Sequence, residues 1–190
     1  MKARWIYPFL FAVALGWLVS RPGRPAFIRV PAGGGTAPAW TMPDLEGRAV
    51  ASTNFLGQVV VLNFWATWCP PCLRELPELK AFHQAHAADG VVVIGAATDE
   101  GGATQLKPFV ARHRVNYPVL LADPGVQMAF GVTSLPSTWI LGRDGRVAAR
   151  YLGALTREEL ERAVIPLLST PPAPSSAATP SATPATSPDR

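Results

Sequence analysis

Val59 to Trp65 is a nearly continuous apolar run, and it leads directly into Trp68-Cys69-Pro70-Pro71-Cys72, which holds the only two cysteines of the chain. Such a run is the pattern of a strand buried on both faces. The cysteines then fall at a strand-to-helix junction. With two residues between them, both sulfurs can occupy the first turn of the helix, close enough to form one small-ring disulfide. The helix N-terminus favours a thiolate on the outer sulfur, Cys69, and leaves Cys72 to close the ring. A purely structural disulfide is the poorer reading, because bridging so short a loop removes little unfolded-state entropy. Zinc needs about four ligands, and no second Cys pair or His pair stands at ligand spacing. Nothing in the sequence suggests a cofactor box, so no cofactor is expected.

A hydrophobic share of 48% over 190 residues is enough for one domain with a core, flanked by segments that stand outside it. Lys2 and Arg4 precede an apolar stretch from Trp5 to Val19, followed by Ser20, Arg21, Pro22 and Gly23. Residues 1–20 therefore read as a signal anchor or signal peptide. The stretch is short against the roughly 20 residues of a spanning helix, although Trp5, Tyr7 and Trp17 suit the interfaces. No small-x-small cleavage site follows, which favours an uncleaved anchor over a cleaved signal and puts the chain in contact with a membrane through this segment. Residues 21–38 form a Pro/Gly-rich linker and residues 39–168 the domain. Residues 169–190 are almost entirely Pro, Ala, Ser and Thr, a disordered tail by composition.

The pI near 9.5 invites a nucleic-acid partner, until the charges are located. Between Ala39 and Leu168 there are 11 Lys and Arg against 12 Asp and Glu. The excess of positive charge belongs to Lys2, Arg4, Arg21, Arg24 and Arg29. No basic face is left to the domain, and nucleic acid is not a partner this sequence implies.

Along the domain, Ala39 to Met42 and Ala49 to Ala51 flank a turn at Asp44-Leu45-Glu46-Gly47 and read as a hairpin. After the cysteines, Leu73, Leu76, Leu79 and Phe82 mark a helix that ends near Gly90, with Pro77 bending it. A strand from Val91 to Ala96 leads through an acidic loop to a helix over 103–114, then a strand over 118–121 and a short helix over 125–130. This alternation argues for parallel pairing with crossover helices. Thr138 to Leu141 and Arg146 to Tyr151, joined by Gly142-Arg143-Asp144-Gly145, form an antiparallel hairpin. Thr156 and Glu159 make a capping box for a closing helix, stapled by Leu155 and Leu160.

Taken together, three elements resemble the membrane-tethered thioredoxin-like proteins of the TlpA/ResA type. They are Val61-Leu62-Asn63-Phe64-Trp65-Ala66-Thr67-Trp68-Cys69-Pro70-Pro71-Cys72, then Glu75 and Pro77, then Gly131-Val132-Thr133-Ser134-Leu135-Pro136-Ser137-Thr138. The resemblance covers roughly residues 39–168. It implies an α/β, thioredoxin-like fold: a central mixed sheet flanked by helices, with an N-terminal β-hairpin and a central strand-helix insertion around Val91 to Arg114. It also implies an extracytoplasmic thiol-disulfide oxidoreductase.

The same resemblance implies roles for particular residues. Pro136 would be the cis proline facing the dithiol, leaving the Leu135 backbone to bind an extended substrate segment by strand addition; a trans turn proline is the alternative. Asn63 departs from classical thioredoxin, which carries a buried acid there. Glu75 matches the acid this group places near the dithiol and would transfer a proton or tune thiol pKa values. The competing reading is an ordinary surface or first-turn glutamate. Trp68 is placed to shield Cys69 and contact substrate, Trp65 belongs to the core, and His83, His86 and His113 read as partly exposed or packing histidines rather than ligands. No residues are assigned to a metal.

The mechanism so implied begins with attack of the Cys69 thiolate on a partner disulfide and ends with resolution by Cys72. The partners are disulfide-bearing proteins, commonly apocytochrome c or a metallochaperone in such families, and an upstream membrane dithiol donor. Rival readings are a disulfide-introducing oxidase and a non-catalytic tethered binding module. A peroxidase is disfavoured because the Pro-x-x-x-Thr-x-x-Cys frame is missing around Cys69.

Overall fold

A computed structural model describes residues 28–30 and 34–169. Its strands are β1 (Ile28–Val30), β2 (Thr41–Pro43), β3 (Ala49–Ala51), β4 (Val59–Trp65), β5 (Val91–Ala97), β6 (Val119–Leu121), β7 (Ser137–Leu141) and β8 (Val147–Leu152). Its α-helices are α1 (Pro70–His86), α2 (Gly102–His113), α3 (Pro124–Ala129) and α4 (Arg157–Leu168). The anchor or signal segment and residues 170–190 of the tail lie outside the described residues.

Six strands form one mixed sheet in the order β1-β8-β7-β4-β5-β6. β4, β5 and β6 run parallel, while β7 is antiparallel to β4 and β8 to β7. All seven residues of β4 and all seven of β5 are buried, as expected of central strands covered on both faces. Alternation then sorts their side chains into two cores. Val59, Val61, Trp65, Val91 and Val93 pack with Leu76, Leu79 and Phe82 of α1, Leu106 of α2 and Leu160 and Val164 of α4. Val60, Leu62, Phe64, Val92 and Ile94 pack on the other face with Trp40, Met42 and Phe130. This is the thioredoxin-like arrangement, with β5 and α2 in the region for which a strand-helix insertion was expected. β5 is no peripheral addition, since it lies between β4 and β6.

The β2–β3 hairpin forms as read, with Met42 opposite Val50. Asp44 closes its turn by accepting the Glu46 and Arg48 backbone N–H groups at 2.9 and 2.8 Å. α1 gives way to a 3-10 turn, and Gly90 reverses the chain at φ +78°, a conformation that costs glycine little. Pro77 is carried within α1 on its exposed side, where water can reach the carbonyl left without a donor. The capping box of α4 is present in both directions.

The segment read as a linker departs from that description. Ile28–Val30 pairs antiparallel with β8 as an edge strand. Thr36 bridges Arg146, and the Ala37 N–H donates to the Gly145 carbonyl at 3.0 Å. The outer edge of β8 would otherwise expose unpaired backbone groups, and a short upstream strand satisfies them. Pro and Gly on either side of residues 28–30 hid this strand in the sequence.

Candidate active site

Cys69 is the N-cap of α1, with Pro70 and Pro71 at the first helical positions, where a missing N–H costs no helical hydrogen bond. The Cys69 sulfur accepts the Cys72 backbone N–H at 3.3 Å, and the two sulfurs are joined as a disulfide across a Cα separation of 5.3 Å. Cys69 is thus held at the positive end of a helix of 17 residues. Both cysteines are largely buried.

A groove of about 460 Å³ opens beside Cys69. Trp68, Thr98, Gln127, Ser134 and Leu135 line it. Trp68 is 67% exposed, an unusual position for an indole. The Leu135–Pro136 bond is cis. Leu135 stands on the groove wall, whereas Pro136 is buried behind it with its carbonyl accepting the Gly153 N–H at 2.9 Å. Among the described residues, none hydrogen-bonds the Leu135 backbone.

Glu75, one turn after Cys72, points inward and is 1% exposed, so the surface-glutamate reading is overturned. Its Oε1 accepts the Leu155 backbone N–H at 2.9 Å, and its Oε2 accepts Asn63 Nδ2 at 3.0 Å. Asn63 Nδ2 also donates to Thr138 Oγ1 at 2.9 Å. The carboxyl group of α1 therefore joins β4 to the segment just before α4, and Asn63 carries the bonding on to β7. Burial pushes Glu75 up to about 8, against the pull of the Leu155 and Asn63 hydrogen bonds, with the charge of Glu159 adding to the rise. A group poised near neutrality is suited to proton transfer. Burial also raises Tyr117, and Glu75 adds to that shift.

The sequence-derived residues accordingly converge on one end of the sheet. Cys69, Trp68 and Leu135 share the groove, Cys72 and Glu75 lie in the helix behind it, and Pro136 supports the facing loop. The histidines stand elsewhere: His86 lies between Asp89 (3.0 Å) and Glu161 (3.3 Å), His113 stacks on Phe109, and His83 meets the Tyr117 ring edge-on. No group of three or more His, Cys, Asp or Glu side chains suited to a metal occurs among the described residues.

Thr138 and Asp99 also contribute to the site. Thr138 was visible within Leu-Pro-Ser-Thr, but its bond to Asn63 needs the β4–β7 register, in which the two residues face each other. In the sequence, Asp99 is one residue of an acidic loop. Its position just past the C-terminal end of a parallel strand, where α/β sheets place their sites, was the available signal.

The AhpC/TSA family matches residues 34–150. The chain is similar to the thiol-disulfide oxidoreductase ResA of Bacillus thuringiensis subsp. konkukian, at 34% identity over 129 residues, covering 67% of this chain and 74% of the relative. Among solved structures it resembles a thioredoxin-family thiol:disulfide interchange protein from Chlorobium tepidum, with TM-score 0.65 and 26% identity over 73% of this chain and 99% of that one. It also resembles a secreted thiol-disulfide isomerase of Corynebacterium glutamicum, with TM-score 0.63 and 26% identity over 80% and 96% of the two chains.

Proposed function

The chain belongs to the AhpC/TSA family and is a thiol-disulfide oxidoreductase of the ResA type; from that premise we propose that it acts outside the cytoplasm, reducing disulfides in partner proteins. The observation that carries this reading is Cys69 at the N-cap of α1, beside an open groove, with a buried Glu75 one helical turn beyond Cys72.

In the reduced protein, the Cys69 thiolate attacks a partner disulfide, forming a mixed disulfide and releasing one partner thiolate. Cys72 gives its proton to Glu75 or water, and its sulfur attacks Cys69. The second partner thiolate leaves, and two electrons have passed to the partner as the Cys69–Cys72 disulfide forms. Protons taken from Glu75 and water complete the partner's two thiols. The exposed indole of Trp68 and the unpaired Leu135 backbone favour an extended substrate segment lying in the groove, held by strand addition next to Cys69. An upstream membrane dithiol would return the protein to its reduced form.

Apocytochrome c before haem attachment is the substrate that the TlpA/ResA resemblance favours. An extracytoplasmic location is supported by the apolar stretch from Trp5 to Val19 and by the similarity to a secreted isomerase. Among the described residues, no helix is long and apolar enough to cross a membrane. Peroxidase chemistry is disfavoured, because Leu62 and Ala66 stand where the Pro and Thr of the peroxidatic frame would be.

Equilibration of the dithiol with glutathione buffers tests the direction. A reductase is expected to have a reduction potential well below the roughly −120 mV of a strong disulfide donor. A value near that of the donor would make the protein an oxidase. Full function after replacement of both cysteines by serine would instead establish a binding module.

A further inference from the structure

One buried acid holds the loop that delivers Cys69. Asp99, 8% exposed, lies two residues beyond the end of β5. Its two carboxylate oxygens each accept the Thr67 backbone N–H at 3.1 Å. Oδ1 also accepts the Thr67 hydroxyl at 2.5 Å and Gln105 Nε2 at 3.3 Å. Gln105 Nε2 donates in turn to Thr67 Oγ1 at 3.1 Å. Every partner is a donor toward Asp99, the pattern a carboxylate requires. Beside it, the Thr98 N–H and hydroxyl both donate to the Trp65 carbonyl, at 2.9 and 3.2 Å. Residues 98 and 99 therefore clamp residues 65 and 67, immediately before the nucleophile, and Thr98 shares the groove with Cys69.

The charge of this clamp is not matched by a cation. Among the described residues, no Lys, Arg or His forms an ion pair with Asp99. Lys107, on the adjacent helix, reaches Glu46 at 3.9 Å, and the next residue in the loop, Glu100, is exposed and acidic. Glu75 is a second buried carboxyl group, on the helix that carries Cys72.

We propose that Asp99 is a positioning residue for Cys69: it fixes the Thr67–Trp68 segment and places an uncompensated negative charge behind the thiol, which keeps the dithiol a reductant. This inference rests on the oxidoreductase reading above. The helix N-terminus stabilises a Cys69 thiolate, and a dithiol whose reduced form is stabilised is a stronger oxidant. A fixed negative charge opposes that stabilisation and shifts the equilibrium toward the disulfide.

The test is thiolate titration of Cys69 and equilibration with glutathione buffers in the full chain, comparing wild type, Asp99→Asn and Gln105→Lys. Asn keeps an accepting oxygen for Thr67 but carries no charge. Lys at exposed position 105 brings a cation to the carboxylate and leaves Asp99 in place. Both variants are expected to acidify Cys69 and make the disulfide easier to reduce, with Asp99→Asn moving the equilibrium constant about tenfold, or about 30 mV. An unchanged constant in Asp99→Asn overturns the proposal, whatever Gln105→Lys does. A change in Asp99→Asn with none in Gln105→Lys assigns the effect to geometry and overturns the role of charge. If Asp99→Asn does not fold, Gln105→Lys decides alone, by a shift toward oxidant or its absence. A wild-type protein that fails to exchange with glutathione contradicts the oxidoreductase reading itself, whereas normal wild-type exchange with an unmoved Asp99→Asn contradicts only the inference about Asp99.

Discussion

Asn63 Nδ2 donates to Glu75 Oε2 at 3.0 Å, tying the central strand to the helix that carries both cysteines. The same nitrogen donates to Thr138, and the Leu155 N–H occupies the other Glu75 oxygen. Asn63 thus spends both amide hydrogens inside the protein. An amide stands in the buried strand, and the carboxyl group that it holds in place is carried by the helix.

Burial raises Glu75 from an ordinary 4.5 to about 8, so the folded protein keeps a proton that the unfolded chain releases. Its contribution to stability is full below about pH 4.5 and is lost as pH rises toward 8. Glu75→Gln has no proton to lose. In urea unfolding of the oxidised protein, the variant is expected to gain on wild type between those limits, by roughly 1.4 kcal/mol per pH unit at most. A stability difference independent of pH would show that the carboxyl does not titrate in this window.

Asn63→Asp sets a second carboxyl against Glu75 and removes the donor shared with Thr138. At pH 5 the loss is expected to be about 1–3 kcal/mol, the range for an unsatisfied buried polar group. The deficit should grow at pH 8, where two adjacent carboxyl groups resist ionisation together. Chemical denaturation at the two pH values measures both.

Much of this architecture was legible because it depends on local pattern. The apolar run of β4, the alternation that followed, the Gly-Arg-Asp-Gly turn and the Thr156/Glu159 box each carry their signal within a few residues. β1 was not legible, since three residues amid Pro and Gly have no pattern of their own and form a strand only because β8 offers an unpaired edge. In the site, Cys69, Cys72 and Pro136 were marked by motif. The burial of Glu75 could not be read, because one turn of helix does not reveal which side faces a sheet; nor could the Asp99 clamp, which joins residues 32 positions apart.

Gly95 pairs with Asn63 across the sheet and leaves room for two rings. A methyl group there would lie 2.8 Å from Trp65 Nε1 and 3.1 Å from Tyr117 Cε2. Gly95→Ala should therefore cost about 1–3 kcal/mol through overpacking. Tryptophan fluorescence and thermal unfolding report it, and an unchanged melting temperature would mean that the rings give way freely.

Trp68 is solvent-exposed beside Cys69, so its truncation separates binding from folding. Trp68→Ala is expected to leave stability within about 0.5 kcal/mol of wild type. Turnover of a disulfide-bearing peptide should show a several-fold higher KM with a smaller change in kcat. A fall in kcat alone would move the indole's role from substrate contact to the chemistry at Cys69.

The central claim, attack by Cys69 and resolution by Cys72, is tested most directly by trapping. Reduced Cys72→Ser and Cys69→Ser proteins are each mixed with an excess of a disulfide-bearing peptide, and the intact masses are followed over time. The account predicts rapid accumulation of a peptide adduct on Cys69, which lines the groove, in Cys72→Ser and only slow labelling of Cys72, which does not, in Cys69→Ser. Equal or reversed rates of adduct formation would contradict it.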